Sequence, residues 1–257
     1  MARLTALITG ASSGIGAELA RICAAEGHNL VLVARRVPPM AALAESLARD
    51  HSIEARVVAA DLADPAPAAI RERLGQTPVD ILINNAGFGL QGPYAETDWA
   101  AEAGMITVNV TALAHLTKLF LPAMLARRSG RILNVASTAA FVPGPLMAVY
   151  YASKAFVVSF SHAIAAETEG TGVTVTALCP GPTITGFQEA AGMQASKLFR
   201  NSPMDAATVA LQGYRAMMAG EPERIAGARN RWVIFGSRFV PRPMLAKIAR
   251  GLNSKTE

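Results

Sequence analysis

The stretch TGASSGIG, Thr9–Gly16, decides the fold. It follows an apolar segment at Leu4–Thr9 and runs directly into a helical pattern at Gly14–Glu26. A strand, a glycine turn and a helix in this order form a site for the pyrophosphate of a dinucleotide, because the start of the helix presents free N–H groups and the positive end of its dipole. The first glycine permits the tight turn, the second lets the backbone approach a phosphate, and the third allows close packing. The residues assigned to this contact are Gly10, Ser12, Ser13, Gly14, Ile15 and Gly16.

Apolar runs alternate with helical patterns along the rest of the chain. Further strands are predicted at Leu30–Ala34, Ile53–Ala59, Asp80–Asn84, Arg131–Ala136 and Val173–Cys179, and further helices at Met40–Asp50, Pro65–Gly75, Trp99–Arg127 (with a break near Pro122) and Tyr150–Glu169. The strands are apolar throughout rather than alternating, which is typical of a parallel sheet covered by helices on both faces. We therefore predict an α/β fold of the Rossmann type, a doubly wound parallel sheet of about seven strands. Residues 1–222 are predicted to form this single domain, and residues 223–257 a basic, amphipathic extension packed on or beside it.

The composition suits a protein with one large core. The 257 residues are 51% hydrophobic and 17% charged. The net charge of +5 arises from residues 224–257, which contain eight Lys or Arg and one acid, whereas the remainder is slightly acidic. We therefore expect no nucleic-acid partner. Two distant cysteines and four unclustered histidines predict neither a disulfide nor a metal site.

The N-terminal segment lacks the features of a signal peptide, since its apolar region is short and no small-residue cleavage pattern follows it. Long uncharged stretches such as Ile132–Ser153 are interrupted by proline, glycine and polar residues, which argues against a membrane-spanning helix. These features predict a cytoplasmic protein.

The residues after the second predicted strand bear on the choice of dinucleotide. An NAD site usually carries a carboxylate here, which accepts a hydrogen bond from the 2′-hydroxyl of the adenosine ribose. This chain has Ala34, Arg35 and Arg36 instead. Two guanidinium groups can pair with a 2′-phosphate, so the sequence predicts NADP(H) as the cofactor. Alternatively, both arginines simply lie in a solvated loop.

A second informative stretch is VYYASKAF, Val149–Phe156. Tyr150 stands four residues and Tyr151 three residues before Lys154, and either spacing puts a tyrosine and the lysine on one face of a helix. Such a pair could transfer a proton, or the stretch could consist of two core aromatic residues beside a lysine. The spacing alone does not choose between the two tyrosines.

Six motifs occur in an order that resembles the short-chain dehydrogenase/reductase family, in its single-domain branch. They are TGASSGIG, NNAG (Asn84–Gly87), Asn109 in VNV, Ser137 in NVAS, YxxxK (Tyr150–Lys154) and PGPTIT (Pro180–Thr185). The resemblance covers residues 4 to about 187, and the stretch PGPTITGF, with the arginine after the second strand, is most similar to bacterial carbonyl reductases of that family. It selects the first tyrosine of the pair and implies a catalytic tetrad of Asn109, Ser137, Tyr150 and Lys154.

Each implied role is chemically reasonable. Reduction of a ketone builds negative charge on its oxygen, so a proton donor must lie against that oxygen. A free tyrosine has a pKa near ~10, which an ammonium group one helical turn away is expected to lower. The resemblance further implies that Lys154 binds the ribose of the nicotinamide, that Ser137 orients the carbonyl oxygen, and that Asn109 holds a water that relays protons. Taken singly, Ser137 and Asn109 could equally be capping residues.

The resemblance also implies further cofactor contacts, at Asp61, Leu62, Asn85, Ala86, Gly87, Pro180, Gly181, Thr183 and Thr185. Asp61 would accept a hydrogen bond from the adenine amino group, although it could simply cap the following segment. On the substrate side, a lid is implied over Gly186–Met204. Apolar residues in the lid and in a wall opposite suit a hydrophobic carbonyl compound, unless they pack as ordinary core. They are Phe187, Met193, Leu198, Phe199 and Met204 in the lid, and Phe141, Val142, Pro143 and Leu146 in the wall.

The basic extension combines apolar and charged residues at helical spacing. Its apolar residues are Trp232–Phe235, Phe239, Met244, Leu245, Ile248 and Leu252, and its charged residues Arg231, Arg238, Lys247 and Arg250 fall away from them. Pro241 and Pro243 divide the segment into two short pieces. Such a segment could lie on an anionic membrane surface, or it could pack on its own or a partner subunit. Of the two we favour packing.

The sequence therefore predicts an NADP(H)-dependent oxidoreductase that reversibly reduces a hydrophobic ketone or aldehyde to the alcohol, with Tyr150 as acid and base. One alternative is a dehydrogenase that oxidises a sterol-like or secondary alcohol. Another is a non-catalytic protein that senses the dinucleotide. The resemblance implies a homodimer or homotetramer, formed through helices near residues 100–125 and 150–170.

Overall fold

The computed structural model describes residues 3–63, 66–193 and 203–254. Its strands are β1 (Thr5–Thr9), β2 (Asn29–Ala34), β3 (Ala55–Ala59), β4 (Ile81–Asn84), β5 (Gly130–Val135), β6 (Val173–Cys179), β7 (Thr183–Ile184), β8 (Met204–Asp205) and β9 (Glu223–Ile225). In this part of the chain, seven parallel strands form one sheet in the order β3-β2-β1-β4-β5-β6-β9, and β7 pairs with β8. The predicted parallel sheet is confirmed.

Helices cover the sheet on both faces. They are α1 (Gly14–Ala25), α2 (Val37–His51), α3 (Ala66–Leu74), α4 (Trp99–Ile106), α5 (Leu113–Ala126), α6 (Ala148–Glu167), α7 (Phe187–Ala190), α8 (Ala206–Ala219), α9 (Ala228–Ser237) and α10 (Arg242–Asn253). A π-helical turn at Thr107–Ala112 joins α4 to α5, and a 3₁₀ turn covers Thr138–Phe141.

The strands bury side chains on both faces of the sheet, which explains why their sequences are apolar throughout. On one face, Ile8 of β1 packs in a cluster that includes Leu19 of α1 and Met217 of α8. On the other face, the preceding residue Leu7 packs in a separate cluster that includes Phe120 of α5. Successive residues of one strand therefore enter two different cores.

The strand order reverses between β1 and β4. From β1 the chain moves outward through β2 and β3, and then crosses to β4, β5 and β6 on the other side. At such a point the connections that follow the two central strands diverge, and they leave a crevice beyond the carboxyl ends of these strands. The glycine loop after β1 and the NNAG motif at the end of β4 meet at this crevice.

The long helix predicted at Trp99–Arg127 is irregular at a different place from the one expected. Helical structure is continuous over Trp99–Ala126, and Pro122 lies inside α5 rather than at a break. The irregularity is the π-helical turn, a feature that occurs mostly at functional sites. The stretch is long and apolar enough to cross a bilayer, but Leu116 and Phe120 are buried in the core against the sheet.

The edge strand β9, the last of the seven in the large sheet, corrects the predicted domain boundary. The strand β9 pairs with β6, with Ala177 opposite Glu223 and Cys179 opposite Ile225. The sheet therefore continues past residue 222, where the domain was predicted to end. Three residues are too few to show a periodic pattern, and the strand is defined by its pairing alone. The following segment forms two helices, α9 and α10, as the two prolines predicted.

Asn253, at the end of α10, fastens this C-terminal segment to the core. Its side chain is fully buried: Oδ1 accepts a hydrogen bond from the Tyr151 hydroxyl (3.0 Å), and Nδ2 donates to the Pro145 carbonyl (3.0 Å). The Asn253 carbonyl accepts a further hydrogen bond from the Gln91 side chain. These three contacts hold α10 against α6 and against the loops before α4 and α6.

We predict that Asn253→Ala lowers the free energy of unfolding by about 1–3 kcal/mol, because the buried Tyr151 hydroxyl and Pro145 carbonyl lose their partner. Urea denaturation followed by circular dichroism measures this change. Ser254→Ala is the control, since this hydroxyl bonds the Gly251 carbonyl at an exposed position. Equal stability of the Asn253→Ala and wild-type proteins would contradict the assigned role.

Candidate active site

Two positions of the glycine loop, Gly10 and Gly16, have no room for a side chain. Gly10 has a φ of +67°, and a β-carbon at this position would lie 2.8 Å from Nδ2 of Asn85 and 2.9 Å from Cα of Ala86. The Asn85 amide donates to the carbonyls of Thr9 (2.9 Å) and Gly10 (3.2 Å). A β-carbon on Gly16 would lie 2.4 Å from the Gly10 carbonyl oxygen. Both glycines are therefore required by the close approach of backbone segments.

The start of α1 is open for an anion. Ser13 is its N-cap residue but makes no side-chain capping hydrogen bond, and the first turn contains no acidic residue. Gly14 has a φ of +57°, and a β-carbon there would lie 3.0 Å from Cγ2 of Thr185. Free N–H groups and the helix dipole at this end suit a phosphate group. The structure thus brings Thr185 to the glycine loop, where the sequence predicted a pyrophosphate.

The two arginines after β2 lie beside this loop. The Arg36 guanidinium donates to the hydroxyls of Ser12 (3.3 Å) and Ser13 (3.2 Å). Nη1 of Arg35 lies 3.9 Å from Oδ2 of Asp61, and both side chains are largely exposed. Oδ1 of Asp61 also accepts from the Ala63 amide, so the capping role considered for this residue is present as well. Leu62 is buried next to it.

Lys154 and Asn109 meet at Gly87. A β-carbon on Gly87 would lie 3.0 Å from Oδ1 of Asn109 and 3.3 Å from Nζ of Lys154, so a side chain there would crowd both groups. The Lys154 ammonium donates to the Val135 carbonyl at the end of β5 (2.9 Å), and its Nζ lies 5.9 Å from the centre of the Tyr150 ring. The four residues of the predicted tetrad come from three places in the chain: Asn109 from the connection between β4 and β5, Ser137 from the segment after β5, and Tyr150 and Lys154 from α6.

Asn109 lies in the π-helical turn and is almost fully buried. Its Nδ2 donates to the Phe88 carbonyl (3.0 Å) and the Ser153 hydroxyl (3.1 Å), and its Oδ1 accepts from the Phe88 amide (3.1 Å). Ser137 caps the 3₁₀ turn by accepting from the Ala139 amide (3.1 Å). The capping role considered for Ser137 is therefore present, whereas Asn109 is not a cap and instead joins the Phe88 backbone to Ser153.

Burial dominates the titration of the tyrosine–lysine pair. Burial raises the pKa of Tyr150 to about 12, although a hydrogen bond with the Ser137 hydroxyl acts in the opposite direction. Burial also lowers the pKa of Lys154 to about 8. The expected lowering of the Tyr150 pKa by the ammonium is not found: desolvation is the largest cause and raises the pKa. Tyr150 remains a protonated donor at neutral pH, whereas Lys154 titrates close to neutrality.

The two adjacent tyrosines have separate surroundings. Both tyrosines line the cavity described below, and the Tyr150 ring lies in contact with Phe187, with ring centres 5.3 Å apart. The hydroxyl of Tyr151 is bonded to Asn253, and its ring fills the space that a β-carbon on Gly144 would need. The choice of Tyr150 as the reacting residue therefore agrees with the geometry.

One continuous cavity of about 1450 Å³ extends from the glycine loop past the tyrosine to the C-terminal helices. This volume exceeds that of a typical single-ligand site and suits a dinucleotide together with a substrate. Residues predicted to contact the cofactor that line it include Asn85, Ala86, Gly87, Pro180, Gly181, Thr183 and Thr185.

The predicted substrate walls are correct in part. Phe187, Met193 and Met204 of the lid line the cavity, and so does Val142 opposite. Phe141, Pro143 and Leu146 are not among its lining residues, and Phe141 instead packs against a core cluster that includes Val157 of α6. Leu198 and Phe199 of the predicted lid lie outside the described residues.

Sequence reasoning missed the wall that α9 and α10 provide. Its apolar residues on the cavity are Val233, Ile234, Val240, Leu245, Ile248 and Leu252. In addition, Asn230 lies against the turn after β6, because a β-carbon on Gly181 would come within 2.4 Å of its Nδ2. The sequence did contain a signal for this wall, namely the apolar residues at helical spacing in the basic extension. They could have been assigned to the substrate-binding wall.

The glycine cradle at the switch point, with a half-buried tyrosine and serine and a buried lysine beside it, defines the class of protein: an α/β oxidoreductase that uses a nicotinamide dinucleotide. A family model described as short chain dehydrogenase matches residues 4–195. The chain belongs to the short-chain dehydrogenase/reductase family, as its motifs predicted.

Individual relatives refine this assignment. The very-long-chain 3-oxoacyl-CoA reductase of Phaeosphaeria nodorum is 38% identical over 177 residues, which are 66% of this chain and 52% of that protein. The chain thus spans about half the length of the curated relatives it matches first.

Among solved structures, a short-chain dehydrogenase from Sphingobium yanoikuyae in complex with NADPH is 34% identical, with a TM-score of 0.83 over 92% of this chain and 94% of that one. The bulky-bulky ketone specific alcohol dehydrogenase from Comamonas testosteroni is 31% identical, with a TM-score of 0.79 over 92% of each chain. Solved relatives also include a complex with NAD.

Proposed function

We propose that the protein is an NADP(H)-dependent carbonyl reductase that converts a hydrophobic ketone or aldehyde to the alcohol, and that the reaction is reversible. The observation that carries this proposal is the position of Tyr150, between the phosphate-binding loop at one end of the cavity and an apolar wall at the other. A nicotinamide dinucleotide supplies a hydride, and the protein must supply a proton and stabilise the charge that develops on oxygen.

The residues of the site divide this work among them. Tyr150 is protonated and donates its phenolic proton to the carbonyl oxygen as the carbon accepts hydride, which yields the alcohol and leaves a phenolate. The Lys154 ammonium stabilises that phenolate, and the Ser137 hydroxyl, which is hydrogen-bonded with Tyr150, orients the carbonyl oxygen. Asn109 holds the loop at Phe88 in place on the far side of Lys154. In the oxidative direction the same groups take the proton back.

The arginine pair supports NADP(H) as the cofactor. Arg36 is held by Ser12 and Ser13 at the edge of the glycine loop, and Arg35 is exposed beside Asp61. Both side chains line the cavity at its phosphate end. Guanidinium groups match a 2′-phosphate in charge and geometry, while the NADPH complex of the Sphingobium relative is consistent with this choice.

The apolar wall supports a bulky, hydrophobic substrate. Besides the lid residues, the wall from α9 and α10 contributes branched aliphatic side chains such as Val233, Ile248 and Leu252. The ketone specificity named for the Comamonas relative favours an aryl or branched ketone. The names of the fungal relatives favour a second candidate, a 3-oxoacyl thioester, which presents the same reacting carbonyl group. A panel containing both classes distinguishes them by kcat/KM.

The alternatives make different demands on the site. A sterol-like alcohol dehydrogenase would use the same residues in the oxidative direction, so the ratio of the two rates at neutral pH separates it from a reductase. A dinucleotide sensor would bind NADPH without turnover on any carbonyl compound. We further propose a cytoplasmic homo-oligomer, for which the exposed Trp99 of α4 and Phe156 of α6 offer apolar contact surface.

Replacement of the two tyrosines is expected to have unequal effects. Tyr150→Phe removes the proton donor and should lower kcat for ketone reduction by about 10²- to 10⁴-fold. Tyr151→Phe removes the hydrogen bond to Asn253 and should cost about 1 kcal/mol of stability with turnover changed by less than about twofold. NADPH oxidation with an aryl ketone measures both, and a larger loss in Tyr151→Phe would contradict the assignment.

The reaction should depend on pH through Lys154. Its pKa is lowered to about 8, so the ammonium is present below this pH and is lost as the pH rises through it, whereas Tyr150 with a pKa of about 12 stays protonated. We expect kcat/KM for reduction to be level at neutral pH and to fall by about tenfold per unit above pH 8. In Lys154→Arg the cation persists, so this fall should disappear from the profile. A wild-type profile that is level up to pH 9.5, roughly, would argue against the role of the ammonium.

Reversal of charge at Arg35 should change the choice of cofactor. Arg35→Asp loses a cation opposite a 2′-phosphate and gains an acceptor for a 2′-hydroxyl, so the ratio of kcat/KM for NADPH to that for NADH should fall by about tenfold or more. Arg49→Gln, on the exposed surface of α2, is the matched control and should leave the ratio unchanged. Comparable kcat/KM for both cofactors in the wild-type protein would contradict the assignment.

A further inference from the structure

The outer surface of α9 and the turn that follows it carry a row of exposed aromatic side chains. Trp232, Phe235 and Phe239 are 73%, 50% and 76% exposed. Their rings contact each other edge to face, with centres 6.1 Å apart for the first pair and 5.5 Å for the second. We call these three residues the aromatic row. Contiguous exposed aromatic groups of this kind mark a surface that another phase or molecule covers.

The aromatic row is not part of the substrate wall. The residues of α9 that line the cavity, such as Asn230, Val233 and Ser237, are displaced by about half a turn from the row. Two different sides of α9 therefore carry apolar side chains. One side bounds the cavity, and the aromatic row faces outward, so that binding of substrate does not account for it.

The charges around the aromatic row have one sign. Arg231 of α9 and Arg238, the residue that caps its C-terminal end, lie next to the row in sequence and are exposed. Arg242, Lys247 and Arg250 of α10 are exposed as well. Residues 224–254 contain no aspartate or glutamate. Met244, at the start of α10, adds another exposed apolar side chain (56%).

We propose that the aromatic row and the basic residues around it dock on the surface of an anionic lipid bilayer. Tryptophan and phenylalanine rings insert at the level of the lipid headgroups, while arginine and lysine keep their charges at the phosphates. Docking of this kind needs both features at once, and the C-terminal helices supply both. It also explains why so much apolar surface is exposed on helices that are otherwise anchored through Asn253.

A second copy of this chain is a less suitable occupant. A twofold-symmetric contact pairs the same surface patch on both subunits. It would bring Arg231 and Arg238 of one copy against the same arginines of the other, and no carboxylate in residues 224–254 is available to pair with them. Anionic lipid headgroups supply the missing negative charge.

The test uses the two tryptophans of the chain, Trp99 and Trp232. In the full-length Trp99→Phe variant, Trp232 is the remaining fluorophore, and in Trp232→Phe it is Trp99. On mixed phosphatidylcholine–phosphatidylserine vesicles, we expect the emission of Trp232 to shift to the blue and to be quenched by brominated acyl chains, whereas that of Trp99 changes neither in wavelength nor in intensity.

Further substitutions separate the contribution of the aromatic row from that of the basic residues. In the Trp99→Phe background, Phe235→Ser with Phe239→Ser should lower the partition coefficient by about tenfold or more. Tyr94→Ser, at an exposed aromatic residue (61%) outside the C-terminal helices, is the matched control and should leave it unchanged. Arg231→Gln with Arg238→Gln should weaken binding by about fivefold per charge on the mixed vesicles and should have little effect on pure phosphatidylcholine.

Two results would overturn the proposal. One is a Trp232 emission spectrum that has the same wavelength and intensity with and without vesicles. The other is a blue shift of Trp232 that grows with protein concentration in the absence of lipid, together with dimerisation in sedimentation velocity, which would identify a second copy as the occupant. Retention of NADPH binding and of Tm by each variant establishes that the fold is intact. The binding measurement needs no turnover, so its outcome is independent of the proposed reaction.

Discussion

The close approach of the segment after β4 to the loop after β1 is the constraint on which the rest of the site depends. The Thr9 hydroxyl accepts hydrogen bonds from the amides of both Asn85 and Ala86 (3.0 Å each), and the Asn85 side chain binds the loop carbonyls in return. This network fixes the crevice at the switch point and leaves the first turn of α1 free for a phosphate. It also fixes Gly87, two residues beyond Asn85, where the chain must pass between Asn109 and Lys154.

Burial of Lys154 is the second constraint, and it follows from the first. An ammonium whose pKa falls from 10.5 to about 8 is destabilised by burial by on the order of 3 kcal/mol relative to its neutral form. The hydrogen bond to the Val135 carbonyl offsets part of this cost. The Lys154 ammonium also lies against the backbone at Gly87. The same desolvation keeps the Tyr150 proton on its oxygen. The fold therefore holds a protonated phenol, Tyr150, next to an ammonium group, Lys154, whose pKa is close to neutral. Such an arrangement is suited to proton transfer at neutral pH.

Much of this could be predicted from the sequence, because the fold signals are local. The short apolar runs of the strands and the glycine turn depend on neighbouring residues, and they located the sheet, the crevice and the loop for phosphate. Spacing alone left Tyr150 and Tyr151 equivalent, and family resemblance was needed to choose. The structure supplies the physical reason, since the second hydroxyl is already bonded to a residue about one hundred positions away, Asn253.

What could not be predicted depends on contacts distant in the chain. The three residues of β9 have no periodic signature, and their place at the edge of the sheet is fixed by pairing with β6. Helical periodicity also describes α9 as one apolar and one polar face, whereas the helix has apolar groups on two sides. Val233 faces the cavity and Trp232 faces outward. Asn253 joins α10 to Tyr151, the residue next to Tyr150, so the C-terminal segment is tied directly to α6. These helices bound the same cavity as the predicted lid residues Phe187, Met193 and Met204, which is why a contact between residues so distant in the chain was needed to find this wall.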